Sequence, residues 1–159
     1  LFILQNETQG AMCTLLMATN KLKNKSVLIS SLDQLLIDQD LETKFVDDGA
    51  DIQVPIFYSD KERYSYLLRD EEKNVIQVFE KKVISNEAIM GFYYIKDFSD
   101  FFDESITLLE KYKGFRERTF YISDVLNSFL RSKKVVSFPN FNSKNYHKLK
   151  QISEFEALI

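Results

Sequence analysis

Two stretches of the chain carry residue types that can bind sugars and phosphates. Glu80 and Lys81 follow one apolar, strand-like run, and Gly91 interrupts a second run of bulky residues. A carboxylate beside an ammonium group can hold sugar hydroxyls and a phosphate, although such pairs are also common as solvated surface ion pairs. A glycine inside a strand marks a bulge or the close approach of a ligand. The residue types therefore permit a sugar-phosphate site, and the surface ion pair stays open as the alternative.

Carboxylates that could bind a metal follow the apolar run 27–29. Asp33 stands behind two serines at the end of this run. Because Mg²⁺ usually takes one or two carboxylates together with phosphate oxygens, Asp33 is a candidate magnesium ligand. It could equally cap the following turn. Asp38-Gln39-Asp40 forms a D-x-D triplet, a pattern that glycosyltransferases use to hold a metal-bound nucleotide sugar, but acidic residues are also expected before a helix.

Gly10 stands where a polar segment meets the apolar run 11–18. At the start of a helix the missing side chain lets a ligand approach the backbone, which makes Gly10 a candidate nucleotide contact. A structural turn explains the same glycine. His147 has no second histidine to accompany it and is read as an ordinary surface residue. The sequence shows no nucleophile paired with a base, and the catalytic residues stay unassigned.

These candidates need a framework of strands and helices to position them. The pattern predicts a short strand over residues 1–4, a buried helix over 11–18 and a strand over 27–29, which together indicate a parallel βαβ unit. Apolar runs then predict strands at 52–58, 64–69, 75–80 and 88–95, paired as antiparallel hairpins. Two amphipathic helices follow, one from Phe98 to Tyr112 and one around 122–130, then a strand at 135–138 and a last helix at 146–159. The predicted fold class is α/β with a mixed sheet.

The composition is that of a folded domain and excludes several function classes. The 159 residues are 45% hydrophobic and 28% charged, with 14 Phe and 8 Tyr available for a core. A net charge of −3 provides no basic field for a nucleic-acid backbone. No apolar run approaches the roughly 20 residues that span a bilayer, which predicts no membrane partner. The single cysteine, Cys13, cannot form an internal disulfide, and a reducing compartment such as the cytoplasm is the simplest expectation.

Four blocks of sequence, taken in order, resemble the sugar nucleotidyltransferases, also called nucleoside-diphosphate-sugar pyrophosphorylases. Residues 6–18 (NETQGAMCTLLMA) resemble the family's "T-x-G-A-A-x-T-x-L-x-A" segment, and residues 27–34 (VLISSLDQ) its "L-L-I-A-N-S-D-Q" block. Residues 64–67 (YSYL) are similar to its "W-S-Y-V" strand. Residues 78–95 (VFEKKVISNEAIMGFYYI) give the closest match, to "V-x-E-K-x-x-I-S-x-x-A-x-x-G-x-Y-x-F". Four blocks in the right order are far more specific than any one alone.

The resemblance implies a Rossmann-like, GT-A-like nucleotidyltransferase domain that joins a nucleoside triphosphate to a sugar 1-phosphate. By position, Gly10 would lie under the nucleoside and Asp33 would bind Mg²⁺. Glu80 and Lys81 would hold the sugar and its phosphate, and Gly91 would let the sugar pack on backbone. The family suggests a role in bacterial surface-polysaccharide or capsule synthesis.

Two departures from the family pattern bear on activity. The family's glycine-rich, basic triphosphate loop ("G-x-G-x-R", then a lysine) has no counterpart in these residues. We therefore expect a single domain, residues 1–159, that matches the later two-thirds of the family domain, is N-terminally incomplete and is inactive alone. The family's second metal-binding aspartate, before "L-G-T-P-E-D", is replaced by the stretch 145–154, NYHKLKQISE.

Two other functions compete with the nucleotidyltransferase at this point. One is a GT-A glycosyltransferase that uses Asp38-Gln39-Asp40 to bind a nucleotide sugar. The other is a non-catalytic remnant that binds a sugar phosphate or a partner protein. An uncovered apolar edge where a first strand is missing would favour association of two copies.

Overall fold

A computed structural model describes residues 3–31, 33–36, 49–113, 117–132, 136–138, 144 and 146–149. Four helices lie within these residues: α1 (Ala11–Leu16), α2 (Thr19–Leu22), α3 (Phe98–Lys111) and α4 (Ile122–Arg131). The first strands are β1 (Val27–Ser30), β2 (Gln34–Leu36), β3 (Ile52–Gln53), β4 (Ile56–Tyr58) and β5 (Tyr66–Arg69). The later strands are β6 (Val75–Phe79), β7 (Glu87–Ile89), β8 (Phe92–Ile95), β9 (Val136–Ser137) and β10 (Tyr146–Lys148).

The strands form three sheets, one of which is mixed. The first has the order β1-β8-β3-β9, with β3 antiparallel to β8 and parallel to β9. The second, β4-β7-β5-β6, is antiparallel throughout, and β10 pairs antiparallel with β2. The α/β class with a mixed sheet is therefore confirmed.

Two paired segments of the chain, residues 52–58 and 87–95, bend at the same level and so run from one of the larger sheets into the other. Pro55 separates β3 from β4, and Met90 with Gly91 separates β7 from β8. The Met90 N–H donates to the Pro55 carbonyl (3.0 Å), so the pairing continues through the bend. Proline has no N–H to donate, and Gly91 adopts φ +83°, which other residues rarely tolerate. These two residues therefore turn a pair of predicted long strands into four short ones.

The predicted helices α3 and α4 are confirmed, and they cover the core. Asp97 begins α3, because its carboxylate accepts a hydrogen bond from the Ser99 N–H (2.8 Å). The buried faces of both helices pack on each other, and α4 also contacts β6. Their buried apolar residues are Phe98, Phe101, Leu108, Ile122, Val125, Leu126 and Phe129. No helix among the described residues is both long and apolar enough to cross a membrane.

Several predictions for the N-terminal part were wrong. Residues 3 and 4 are not in a strand, and the Ile3 side chain is 73% exposed. The run 11–18 is not a helix buried on all sides, since α1 ends at Leu16 and only Met12 is fully buried in it. The predicted parallel βαβ unit does not form within the described residues, because residues 3 and 4 are not in a strand and β1 pairs antiparallel with β8. Apolar composition alone did not show that α1 packs against α3 and α4 on one side and leaves Met17 exposed.

The last predicted helix was wrong at its start. Tyr146–Lys148 is the strand β10, and residues 151–159 of the predicted helix lie outside the described part of the chain. Tyr146 is buried among the rings of Phe57, Tyr64 and Phe92, with centroids 4.9 to 6.3 Å away. Tertiary packing of this ring therefore overrides the local helical pattern.

Candidate functional site

Glu80 is held by two serines from different parts of the chain. Its Oε2 accepts hydrogen bonds from the hydroxyls of Ser65 (2.5 Å) and Ser123 (2.9 Å). Ser65 lies just before β5, and Ser123 lies in the first turn of α4; both are buried. The two serines fix the carboxylate in one orientation, and its other oxygen, Oε1, makes neither of these bonds. A preoriented carboxylate is suited to accept hydrogen bonds from ligand hydroxyl groups.

This carboxylate lines a small cleft of about 140 Å³, which we call the Glu80 cleft. Gly91 and Tyr93 also line it, from the bend before β8 and from β8 itself. Burial, and secondarily the negative charge of Glu80, raises the pKa of Tyr93 far above its usual value. Tyr93 therefore stays a neutral hydroxyl at physiological pH. The remaining polar residues of this cleft are Ser31, Gln34, Arg63, Tyr64, Ser65, Tyr121, Ser123, Tyr146 and Lys148.

Another group does lie close to the Gly91 backbone, as the sequence predicted. In this structure that group is the side chain of Gln34. A Cβ built on Gly91 would lie 2.5 Å from Nε2 of Gln34. The Gln34 amide in turn accepts a hydrogen bond at Oε1 from the Tyr146 hydroxyl (3.2 Å). Glycine at position 91 thus gives β2 and β10 room to close one side of the Glu80 cleft. The sugar-binding role predicted for Gly91 stays a prediction.

Lys81 adjoins the cleft without lining it. Its backbone has φ +51°, and its Nζ lies 5.2 Å from the centre of the Tyr121 ring, which is a wall of the cleft. Glu80 and Lys81 therefore lie close together at the end of β6, but their side chains have different neighbours. The Lys81 ammonium makes a cation–π contact with Tyr121, and Glu80 bonds to serines. Whether Lys81 reaches a bound phosphate stays a prediction.

Asp33 lies at the edge of the same region, in contact with Lys148. The Lys148 Nζ is 3.9 Å from Asp33 Oδ2, and the Asp33 side chain is 49% exposed. The Asp33 carbonyl accepts from the Leu149 N–H (2.8 Å), which ties the turn before β2 to the end of β10. The described residues contain no group of three His, Cys, Asp or Glu that could hold a metal by themselves. Asp33 as a magnesium ligand stays a prediction.

Gly10 is required by packing. It has φ +109°, and a Cβ there would lie 2.4 Å from the Phe120 carbonyl oxygen. Hydrogen bonds from Phe120 N–H to Gln9 C=O (2.7 Å) and from Met12 N–H to Phe120 C=O (3.3 Å) clamp the two segments together. The interpretation that Gly10 is needed for the structure therefore has direct support. Its contact with a nucleotide stays a prediction. Ala11, the next residue, lines the Glu80 cleft.

Cys13 and His147 do not line the Glu80 cleft. Cys13 is half-buried, and burial raises the pKa of its thiol, so it is a structural residue of α1. His147 lies on β10 and lines a second, neighbouring cleft. The triplet Asp38-Gln39-Asp40 lies outside the described residues.

Sequence reasoning missed the serines and cations of this region. Ser123 is 43 positions from Glu80, and nothing in its local sequence distinguishes it from other serines at a helix start. Arg63 and Lys148 come from the loop before β5 and from β10. Ser65 alone had a signal, since it lies within the block that resembles the family's "W-S-Y-V" strand.

The comparisons with known proteins identify the fold. The chain is similar to a nucleoside-diphosphate-sugar pyrophosphorylase from Vibrio cholerae, with a TM-score of 0.78 and 17% identity over 97% of this chain and 66% of that one. It is similar to a UDP-glucose pyrophosphorylase complexed with UDP-glucose (TM-score 0.71, 15% identity, 96% and 61% covered). An inositol-1-phosphate CTP transferase from T. maritima also resembles it (TM-score 0.69, 14% identity, 92% and 58% covered). No family model matches the sequence, and no curated protein sequence matches it significantly.

These similarities establish a sugar nucleotidyltransferase fold. The chain spans between 58% and 66% of the length of these three solved structures. The resemblance seen in four blocks of sequence is therefore confirmed at the level of the fold.

Proposed function

We propose that this chain carries the sugar 1-phosphate site of a sugar nucleotidyltransferase that forms an NDP-sugar from a nucleoside triphosphate. The observation that carries the proposal is the Glu80 carboxylate, oriented by Ser65 and Ser123 inside a cleft of the nucleotidyltransferase fold. In this role Glu80 accepts hydrogen bonds from sugar hydroxyls, and the neutral Tyr93 hydroxyl adds a second polar contact. Lys81 holds the phosphate, and Gly91 forms the floor under the sugar.

The reaction proposed is a phosphoryl-group transfer. A phosphate oxygen of the sugar 1-phosphate attacks the α-phosphorus of the triphosphate, a new P–O–P linkage forms, and pyrophosphate leaves. Such chemistry needs positioning and charge stabilisation more than covalent help from the protein. The protein's task here is to orient the attacking phosphate, and Lys148, which lines the Glu80 cleft, offsets its charge.

Magnesium fits this site only with phosphate as its principal ligand. Asp33 would supply one carboxylate oxygen, and the other ligands would be phosphate oxygens and water, a ligand set that Mg²⁺ accepts. Lys148 at 3.9 Å would then have to turn from Asp33 towards the phosphate. When bound, the ion would offset negative charge on the phosphate oxygens.

Binding of glucose 1-phosphate to the 159-residue chain tests the proposal. Titration calorimetry of Glu80→Gln should show binding weakened about tenfold, because a charged hydrogen-bond acceptor contributes roughly 1.5–3 kcal/mol. The matched control is Glu71→Gln, which removes the same charge from an exposed turn. Equal affinity in both variants, or no binding of glucose 1-phosphate to the parent chain, would contradict the assignment.

We further propose that the isolated chain binds but does not turn over. Its sequence has no glycine-rich basic loop, and backbone N–H groups of such loops supply much of the binding of phosphates. An assay for pyrophosphate release with nucleoside triphosphates and glucose 1-phosphate should therefore give no signal. The whole enzyme would act in the cytoplasm, in synthesis of a surface polysaccharide.

A further inference from the structure

A second cleft, of about 470 Å³, adjoins the Glu80 cleft and is not used by the proposed reaction. We call it the Lys61 cleft, because Lys61 lines it and does not line the other. Its walls come from the loop after β4 and from β10. Arg63, Tyr64, Tyr146 and Lys148 separate the two clefts, since they line both. The volume lies within the range of small-molecule sites.

Arg63 is the unusual residue of this cleft. Its Nε is buried, yet it has no hydrogen-bond partner among the described residues. The guanidinium lies 5.1 Å from the centre of the Tyr64 ring, a cation–π contact that supplies no acceptor for Nε. A buried donor without an acceptor is unfavourable, and a guanidinium is shaped to bind a phosphate or carboxylate with two parallel hydrogen bonds. The site therefore offers a pre-positioned donor for an anion.

The charges around the Lys61 cleft favour an anion as well. Lys61, Arg63 and Lys148 line it together with a single carboxylate, Asp60. The Lys148 Nζ lies 5.8 Å from the centre of the same Tyr64 ring that Arg63 contacts. Asp33 lies 3.9 Å from Lys148, and an anionic ligand would add a further negative group beside the three cations. This local excess of positive charge contrasts with the net charge of −3 of the whole chain.

The aromatic residues that line the Lys61 cleft favour a ligand with a flat or apolar group beside its anionic group. Tyr58 lines the cleft with 59% of its surface exposed, and the buried Phe57 and Tyr64 line it as well. An exposed tyrosine ring at the mouth of a cleft offers a face for stacking a flat or apolar group. We propose that the Lys61 cleft binds an organic phosphate, its phosphate held by Arg63 and Lys61 and its ring against Tyr58.

Adenosine 5′-monophosphate and glucose 6-phosphate are suitable probes, with inorganic phosphate for comparison. Calorimetry on the full chain at low ionic strength should show at least one of the two organic phosphates binding more tightly than inorganic phosphate. Arg63→Gln should weaken that binding about tenfold, and Lys61→Gln by a smaller factor, because Lys61 is exposed. Added salt should weaken it further.

Three controls make the test specific. Lys23→Gln removes a charge from an exposed lysine at the end of α2, and should leave affinity unchanged. Glu80→Gln should also leave it unchanged, which separates this cleft from the sugar 1-phosphate site. Arg63→Lys keeps the positive charge and serves as the conservative variant. The far-ultraviolet circular dichroism of Arg63→Lys and of Arg63→Gln, each compared with that of the parent chain, shows whether a loss of affinity comes from misfolding. The proposal would be overturned if neither probe binds at millimolar concentration, or if Arg63→Gln binds as tightly as the parent chain. It would also be overturned if Glu80→Gln loses affinity for the probe and Lys61→Gln does not.

Discussion

At the scale of single residues, Glu80 and Lys81 show how distant residues decide the surroundings of two adjacent charged side chains. From the sequence alone, the adjacent side chains of Glu80 and Lys81 could equally form a solvated surface ion pair. Two buried serines hold the carboxylate instead, and the lysine lies over an aromatic ring. The difference lies entirely in which distant residues reach the end of β6.

Gly10 and Gly49 form a natural matched pair for measuring the cost of a close backbone contact. Both have positive φ, but a Cβ at Gly10 meets the Phe120 carbonyl at 2.4 Å, whereas a Cβ at Gly49 meets nothing within 4 Å. Gly49→Ala should lower the free energy of unfolding by about 1 kcal/mol, the cost of the left-handed backbone alone. Gly10→Ala should cost about 1–3 kcal/mol more, because the Gly10 backbone (φ +109°, ψ 177°) lies in a region essentially limited to glycine and the Cβ would also meet Phe120.

Urea denaturation of both glycine variants, followed by circular dichroism, measures this difference. Equal destabilisation of the two variants would mean that the segment around Phe120 moves aside easily. The clamp between residues 9–12 and 119–120 would then not be rigid.

At the scale of elements, one side chain of α4 completes the edge of a sheet. Asn127 accepts from the Val78 N–H (2.8 Å) and donates to the Val78 carbonyl (2.9 Å). It thus bonds to an edge strand, β6, as a neighbouring strand would, and it prevents pairing with another chain at that position.

Asn127→Ala should be costly because it leaves both backbone groups of a buried residue, Val78, without partners. We expect the free energy of unfolding to fall by about 2–4 kcal/mol. Asn127→Asp keeps the acceptor and loses the donor, so about half of that loss is expected. Thermal and urea unfolding of the two variants test the ranking; an Asn127→Asp variant less stable than Asn127→Ala would contradict it.

At the scale of the whole molecule, two buried tyrosines tie stability to alkaline pH. Burial raises the pKa values of Tyr93 and Tyr146 well above the usual value of about 10. Above pH 10 an unfolded tyrosine releases its proton while the folded one keeps it. The unfolded state then binds fewer protons, so the free energy of unfolding must fall as pH rises, by up to about 1.4 kcal/mol per pH unit for each residue. Below pH 10 these two groups contribute no pH dependence.

Urea unfolding between neutral and strongly alkaline pH tests this dependence. Tyr93→Phe should flatten the fall in stability above pH 10, because it removes one of the buried tyrosines whose pKa is raised. Tyr58→Phe, which removes a hydroxyl from a ring that is 59% exposed, is the control and should leave the slope unchanged. Identical slopes in all three proteins would show that Tyr93 ionises in the folded state as it does in the unfolded one.

The sequence by itself determined the features that depend on neighbouring residues. The spacing of apolar residues predicted α3 and α4, and the two neighbouring apolar runs 64–69 and 75–80 predicted the hairpin of β5 and β6. Those signals are local, because periodicity decides which face of a helix or strand can be buried. The order of four blocks was also enough to indicate the fold.

Only the tertiary structure decided which strands pair and which side chains meet. The antiparallel partner of β1, the strand at Tyr146 and the bend at Gly91 all depend on residues far away in the chain. The contact of Ser123 with Glu80 spans 43 positions, and that of Tyr146 with Gln34 spans 112. Such contacts form because burying a ring or satisfying a carboxylate lowers the free energy of the whole fold, a gain that no local window of sequence contains.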